Sequence, residues 1–375
     1  MKSGLSLLLV AFVMASGQTR KVTDEEVRRV HASALLIDTH NDIIESYNEP
    51  PTLVVKGFDI GPARPPLPKG ATGGQTDLPR LRAGGVGAVF FAAYVPKMAL
   101  EGNHSANYAL QTIDAIRHDI VERYPKDFEL AMRADDIIAA HKQGKIAALI
   151  GIEGGHAIEE NLRLLRQFHA LGVRYMTLAH QHSLSWAGSS GDERGKTTGL
   201  SAFGRDVVAE MNRLGMMVDI SHASDKTFFD ALEVSKAPMI ASHSSCRALT
   251  PHARNMTDEM IAALAKKGGV IQINFYCPFA QRTPATPAKA TLADVVAHID
   301  HAVKIGGINA VGIGSDFDGI ECAPEGLEDV SKFPNLTRAL LEKGYSEQDI
   351  RKIYGENLLR VMRAVETVSK EAVAK

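Results

Sequence analysis

Eight short runs of β-branched and aliphatic residues recur along this chain, separated by longer segments of helical period. That alternation restricts the fold to a parallel sheet with crossover helices. The runs are Ala34–Asp38, Val86–Tyr94, Ala147–Ile152, Val173–Leu178, Met216–Ile220, Pro238–Ser242, Val270–Phe275 and Ala310–Gly314. Helices are expected between them at Asn161–Leu171, Ala202–Leu214, Lys226–Val234, Asp258–Lys267 and Leu292–Ile305, several stopped by glycine-containing turns. With 375 residues, 45% of them hydrophobic and 23% charged, the chain has an ordinary globular composition and too much apolar content for disorder. No second composition regime interrupts the pattern, so the expected α/β fold is one closed (β/α)8 barrel of the TIM type spanning residues 18–375. Two further helical stretches, Ser346–Tyr354 and Asn357–Val368, are expected to pack on its outside.

Charge and chain ends exclude several classes. Lys and Arg number 42 against 44 Asp and Glu, a net charge of -2, so there is no basic excess for phosphate contacts and nucleic acid is not an expected partner. The start reads as a secretory signal over residues 1–17: Lys2, an apolar run from Leu5 to Ala15, then small residues up to Gly17. That run falls well short of the roughly 20 apolar residues needed to cross a bilayer. The mature chain is therefore expected to be exported, periplasmic or secreted, with no stable membrane anchor. Three cysteines, Cys246, Cys277 and Cys322, cannot form a dense disulfide framework.

Two segments depart from the strand–helix alternation, Pro50–Gly74 and Ala187–Gly199. Both follow expected strands and so should hang over the C-terminal mouth of the barrel, where such folds bind substrate. Within the second, Gly191-Asp192-Glu193-Arg194-Gly195-Lys196-Thr197 has three residues between its glycines where a phosphate-binding loop has four, and reads as an ordinary flexible loop. The turn Asp316-Phe317-Asp318-Gly319 brings its glycine too early for a calcium loop. Neither a Gly-x-Ser-x-Gly elbow nor a His-Glu-x-x-His helix occurs.

Chemistry-bearing side chains instead collect at the strand ends, which a barrel turns toward one pocket. His40 and Asp42 end the first run, two apart and so on one side of the strand. Glu153 ends the third among Gly151, Gly154 and Gly155, and a carboxylate has two oxygens with which to bridge two ions. His222 ends the fifth run and His243 the sixth. Either histidine alone reads as a core histidine bonded to backbone. Together, His40, Asp42, Glu153, His222 and His243 amount to the ligand set of a two-metal site. Two further ends carry His180 and Asp316: the histidine could hold a developing oxyanion, and the carboxylate could move a proton from water to a leaving amine. Asp318 competes with Asp316 for that role, and Asp316 is preferred as the first acid past its run.

Taken in order, these motifs resemble the membrane (renal-type) dipeptidases, zinc peptidases on an amidohydrolase-like barrel. The likeness runs through Asp38-Thr39-His40-Asn41-Asp42, Thr76-Asp77-Leu78-Pro79-Arg80-Leu81, Gly151 to Ile158, Gly172 to Leu178 before His180, Asp219-Ile220-Ser221-His222, Ser242-His243-Ser244-Ser245, Arg254-Asn255-Met256, Asn274-Phe275-Tyr276 and Asp316-Phe317-Asp318-Gly319. It implies two zinc ions per chain, one held by His40, Asp42 and Glu153 and the other by Glu153, His222 and His243, with a hydroxide between them. It further implies that His180 contacts the scissile carbonyl, that Arg254 pairs with the terminal carboxylate of a dipeptide, that Asp316 shuttles the proton, and that the protein forms a homodimer. Phe279 stands where the family can place a carboxylate-binding tyrosine, and the cysteine pairs that staple the mammalian members are absent. The alternatives are another metal-dependent amidohydrolase, such as a deacylase of N-acyl amino acids, and an inactive metal-binding homologue.

Overall fold

The computed structural model describes residues 20–45, 54–65 and 72–373. The signal read over residues 1–17 and parts of the Pro50–Gly74 segment lie outside these. Nine parallel strands form the sheet: β1 Leu36–Asn41, β2 Val86–Tyr94, β3 Phe128–Leu130, β4 Ile146–Glu153, β5 Val173–Thr177, β6 Met217–Asp219, β7 Ile240–Ser244, β8 Val270–Ile273 and β9 Val311–Ile313. Eight of them follow in the order β1-β2-β4-β5-β6-β7-β8-β9, a nearly closed barrel, and each overlaps one of the eight expected runs. The unexpected β3 pairs with the start of β4 through Phe128 and Ile146. Its three residues are too few to show a period in sequence.

Both faces of the barrel wall are apolar, which is why the runs read as continuous. Alternate residues divide between two buried clusters. Val89, Phe91, Ala148 and Ile150 face the helices, while Ala88, Phe90, Ala147 and Leu149 face the interior with Ile37, Tyr175, Met217, Ile240 and Val270. The interior set comes mostly from the strand starts. Against it pack Leu358, Leu359, Val361, Met362 and Val365 of the C-terminal helix Asn357–Val373, which thereby forms the floor of the barrel instead of joining its outer ring as expected.

The crossover helices start where polar caps permit. Ser201, Ser224 and Thr257 accept from backbone N–H groups three residues on, and Thr291 with Asp294 and Ser346 with Asp349 form reciprocal capping boxes. Ala202–Leu214 ends on Gly215 at φ 82°, the left-handed cap that glycine adopts without strain. Helices at Leu78–Ala83, Ser105–Ala115, Ala134–Lys142 and Phe333–Glu342 add to the expected set.

One covalent link was not foreseen from three cysteines. Cys277 and Cys322, 45 residues apart, form a disulfide with a Cα–Cα distance of 5.6 Å, while Cys246 is free and buried. The bridge joins the turn after β8 to the loop after β9.

The last strand meets the first largely through side chains. Thr39 Oγ1 donates to the carbonyls of Ile313 at 3.0 Å and Ser242 at 2.6 Å. The Asp38 carboxylate accepts from Ser315 N at 2.8 Å and Ser315 Oγ at 2.5 Å. Beyond it Asp316 N donates to His40 O at 3.1 Å and Asp42 N to Phe317 O at 2.9 Å. Burial raises Asp38 to about 6, and the bonds from Ser315 and from His40 N oppose that rise. The Asp38→Ala variant, which strands two buried donors of Ser315, is expected to lose about 2–4 kcal/mol of stability in urea unfolding. A loss below about 0.5 kcal/mol would show that barrel closure does not lean on this carboxylate.

Candidate metal centre

The ends of β1, β4, β5, β6, β7 and β9 bring seven of the singled-out residues into one buried pocket: His40, Asp42, Glu153, His180, His222, His243 and Asp316. Local backbone irregularities aim them. The β1–β2 register shifts between Asp38 and Asn41, and the β7–β8 register between Ala241 and Ser244, so His40 and His243 each sit in a stretch where the ladder breaks step. His222 and Asp316 hold left-handed backbone at φ 63° and 68°, a conformation that costs non-glycine residues energy and collects at functional sites.

Glu153 is the centre of the pocket, 4% exposed, and its two oxygens face different partners. Oε2 lies 3.4 Å from His40 Nε2, which is itself 3.2 Å from Asp42 Oδ2. Oε1 lies 3.0 Å from His222 Nε2 and 3.3 Å from His243 Nε2, and those two nitrogens are 3.0 Å apart. Donor atoms around a tetrahedral zinc at about 2.0–2.1 Å stand roughly 3.3 Å from one another. Glu153, His222 and His243 match that spacing throughout, and His40 stands at it from both Glu153 and Asp42. His40 Nε2 and Asp42 Oδ1 are buried without a hydrogen-bond partner, which polar atoms in a dry interior rarely tolerate unless something else satisfies them. The donor set and its orphaned atoms therefore fit divalent metal.

Outer partners turn the ring nitrogens the right way. Tyr175 Oη spends its proton on Thr39 O at 3.1 Å, so at 2.8 Å it accepts from His40 Nδ1, leaving Nε2 as a lone pair. Ser242 Oγ donates to Asp219 Oδ2 at 2.7 Å and accepts from His243 Nδ1 at 2.8 Å, with the same result. Asp219 also takes Thr177 Oγ1 at 2.6 Å and Ser242 N at 2.8 Å, tying β5, β6 and β7 together below the pocket. Tyr175 reaches His40 because Gly151 leaves room: a Cβ there would stand 2.0 Å from the phenol ring.

Electrostatics follow from burial and crowding. Burial holds His222 and His243 well below the usual histidine range and lowers His180 to about 4, although Glu153 pulls all three upward. They are neutral and able to donate lone pairs. For His40 burial works the same way, but Tyr175, Asp42 and Glu153 outweigh it and raise the imidazole. Burial pushes Asp42 up to about 8, against the pull of His40, and raises Asp316. Glu45, unremarked in the sequence, is half-buried beside them and raised by desolvation and by Asp42, Glu153 and Asp316.

Asp316 Oδ1 stands 4.0 Å from His40 Nε2 while Asn274 Nδ2 donates to its Oδ2 at 2.8 Å. Asp318 faces elsewhere, taken up by Arg64 Nη1 at 3.0 Å and Gly74 N at 2.7 Å. His180 Nε2 is 3.5 Å from Glu153 Oε1, with the ring of Tyr94 against it at 5.0 Å. Arg254, 6% exposed, lies beside the pocket: it donates to Ser244 Oγ at 2.8 Å and His243 O at 2.7 Å, and its Nε has no partner. Of the sequence decoys, Glu193–Lys196 forms a short 3-10 turn capped by Asp192. Tyr175, Asp219, Asn274 and Glu45 went without a role in the sequence reading. Tyr175, Asp219 and Asn274 stand inside the motifs above; for Asp219 and Asn274 their place beside strand-end residues was the available signal.

Comparison with known proteins gives this geometry its context. The family described as membrane dipeptidase (peptidase family M19) matches residues 24–375. A dipeptidase of Claviceps purpurea, tcpJ, is 44% identical over 303 residues, 79% of this chain and 70% of its own. An uncharacterized dipeptidase of Schizosaccharomyces pombe is 38% identical over 375 residues, 96% of this chain and 87% of its own. Among solved structures, a metallopeptidase from Rhodobacter sphaeroides liganded with a phosphinate mimic of the dipeptide L-Ala-D-Ala superposes with a TM-score of 0.73 at 28% identity. The match covers 88% of this chain and 99% of that one.

Metal should replace protons at this site, and the sign follows from the shifts. Above about pH 6.5 the unfolded carboxylates have lost their protons, whereas folded metal-free Asp42 holds its own until about pH 8. Because the folded form then binds more protons than the unfolded one, stability of the metal-free protein falls as pH rises through that window. Saturating zinc is expected to raise the Tm of chelator-stripped protein more at pH 8 than at pH 6.5. Tyr175→Phe, which frees the His40 ring to rotate, should weaken the apparent zinc affinity by roughly tenfold in a competition titration. Equal Tm gains at both pH values, or unaltered affinity in the variant, would contradict this reading.

Proposed function

Because the chain belongs to the membrane dipeptidase family, whose members are metallopeptidases, we propose that it is a two-zinc dipeptidase. The observation that carries the reading is the division of Glu153, with one oxygen facing His40 and Asp42 and the other facing His222 and His243. His40, Asp42 and Glu153 would hold one ion, and Glu153, His222 and His243 the second. When bound, such a pair supplies a water acidified toward neutrality and a Lewis acid for the scissile carbonyl.

The chain's own residues do the remainder. His180, neutral in its half-buried position, presents Nε2 at the pocket and donates to the oxygen on which negative charge develops. Asp316 takes a proton from the attacking water and delivers it to the departing amine; the amide of Asn274 fixes one of its oxygens, so the other serves as the shuttle. Arg254 has a free Nε and a guanidinium fork suited to a free carboxylate, which restricts substrates to those that end one residue past the scissile bond. The L-Ala-D-Ala mimic bound by the Rhodobacter sphaeroides relative supports including L,D-dipeptides among the candidates.

We assign the protein to an oxidising compartment outside the cytoplasm, on the signal pattern of residues 1–17 and the Cys277–Cys322 bridge. Among the described residues no helix is long and apolar enough to cross a membrane.

The deciding experiment measures metal content of the purified protein together with hydrolysis of L,L- and L,D-dipeptides, N-acyl amino acids and tripeptides, with and without chelator. About two equivalents of zinc and chelator-sensitive cleavage of dipeptides alone are expected. Two metals with cleavage of N-acyl amino acids alone would move the substrate to the deacylase class. The His222→Ala variant should fold yet hold much less metal and activity, and full activity would sink the two-metal site. Asp316→Asn should keep its metal and lose at least a hundredfold in kcat; an unchanged rate would remove the shuttle from this residue.

A further inference from the structure

Beside Arg254 stands a group of rings that the reaction does not use. Phe279 lies with its centroid 5.7 Å from the guanidinium carbon of Arg254. His252 packs on it at 4.7 Å and Tyr276 meets it edge-on at 4.8 Å. Phe279 and Tyr276 are half-buried and His252 is exposed, whereas Arg254 beneath them is buried. The rings therefore form a largely apolar, partly exposed wall against a buried cation.

This wall is fastened to its surroundings on three sides. Asn255 Nδ2 donates to Phe279 O at 3.0 Å, and Arg254 N donates to His252 Nδ1 at 3.1 Å. Tyr276 Oη donates to Glu321 Oε1 at 2.5 Å, and Cys277 N to Cys322 O at 3.2 Å. The Cys277–Cys322 disulfide locks the same seam covalently, between the turn that carries Phe279 and the loop that carries Asp316. Asn274, one residue before Phe275 on that turn, holds Asp316 itself at 2.8 Å.

We propose that the Tyr276–Phe279 turn, fixed by the Cys277–Cys322 bridge, is the wall that selects the side chain of the substrate's C-terminal residue and favours a bulky apolar one. This rests on the dipeptidase reading, in which Arg254 takes the terminal carboxylate. The side chain on the adjoining carbon then lies within a few bonds of the guanidinium, and Phe279 is the ring packed against that group. An apolar or aromatic side chain gains burial and ring contact there; glycine gains neither. Phe279 acts on the substrate directly, and the disulfide acts through it as a positioning element.

The test compares kcat/KM for L-Ala-L-Phe and L-Ala-Gly in the zinc-loaded protein, with metal content and Tm measured alongside. Wild type should favour L-Ala-L-Phe. In Phe279→Ala the ratio of the two values is expected to fall about tenfold, and in Phe279→Leu, which keeps apolar bulk, to fall much less. The paired Cys277→Ser, Cys322→Ser variant should shift the ratio in the same direction, mainly through KM for L-Ala-L-Phe, at unchanged metal content. A ratio that does not move in Phe279→Ala overturns the wall. A paired serine variant with a lower Tm and the wild-type ratio overturns the positioning role of the bridge. A wild type that keeps its two metals and cleaves neither dipeptide overturns the dipeptidase reading and this inference with it.

Discussion

How the first strand meets the last decides whether the mouth exists at all. β9 has three residues and cannot by itself supply a long ladder to β1. The junction is made by Thr39, by the Asp38 carboxylate gripping Ser315, and by the crossed backbone bonds of His40 with Asp316 and Asp42 with Phe317. These contacts also set the separation of His40, Asp42 and Asp316. Closing the barrel and assembling that side of the pocket are thus one event, and Asp38 belongs to both, gripping Ser315 on β9's side and the backbone N of His40 on its own.

The far side of the pocket solves the same problem with a second buried acid. Asp219 collects Thr177 Oγ1, Ser242 Oγ and two backbone N–H groups, and so sets the ring of His243 through Ser242. Between these two anchored edges sits Glu153, whose charge is tolerated only because imidazoles surround it. Concentrating Asp42, Glu45, Glu153 and Asp316 in one dry space opposes folding, and they hold protons or await a cation in proportion. The left-handed backbone at His222 and Asp316 adds strain at the same place. A scaffold of packed strands absorbs both costs.

The eight strands were legible because a parallel strand buried on both faces must be apolar along its length, as Val86–Tyr94 is and as Ile146–Glu153 is up to its final Glu153. His40, Asp42, Glu153, His222 and His243 were legible because polar residues that recur at the ends of such runs are brought by a barrel to one mouth. Tyr175 fell inside the Gly172 to Leu178 motif but its role was hidden: its bond to His40 crosses 135 residues and depends on the space left at Gly151, and no local pattern records that. Choosing Asp316 over Asp318 came down to position along the strand, and the structure gives the physical ground, since Arg64 and Gly74 N occupy Asp318. The disulfide was out of reach because its two cysteines sit in separate loops that only barrel closure brings within 5.6 Å. The C-terminal helix was assigned to the outer ring because amphipathic period shows that a face is buried and is silent about what buries it.

That helix gives the barrel an order of completion. The inward residues at the strand starts stay open to water until Leu358, Val361, Met362 and Val365 cover them, and these are made after every strand. A chain emerging in one direction, from a ribosome or through a secretion pore, can pair its strands one by one. It cannot dry its interior until the final segment arrives. The nascent protein consequently spends its synthesis as a cup with an exposed apolar bottom, the state in which chaperone capture and aggregation compete with folding.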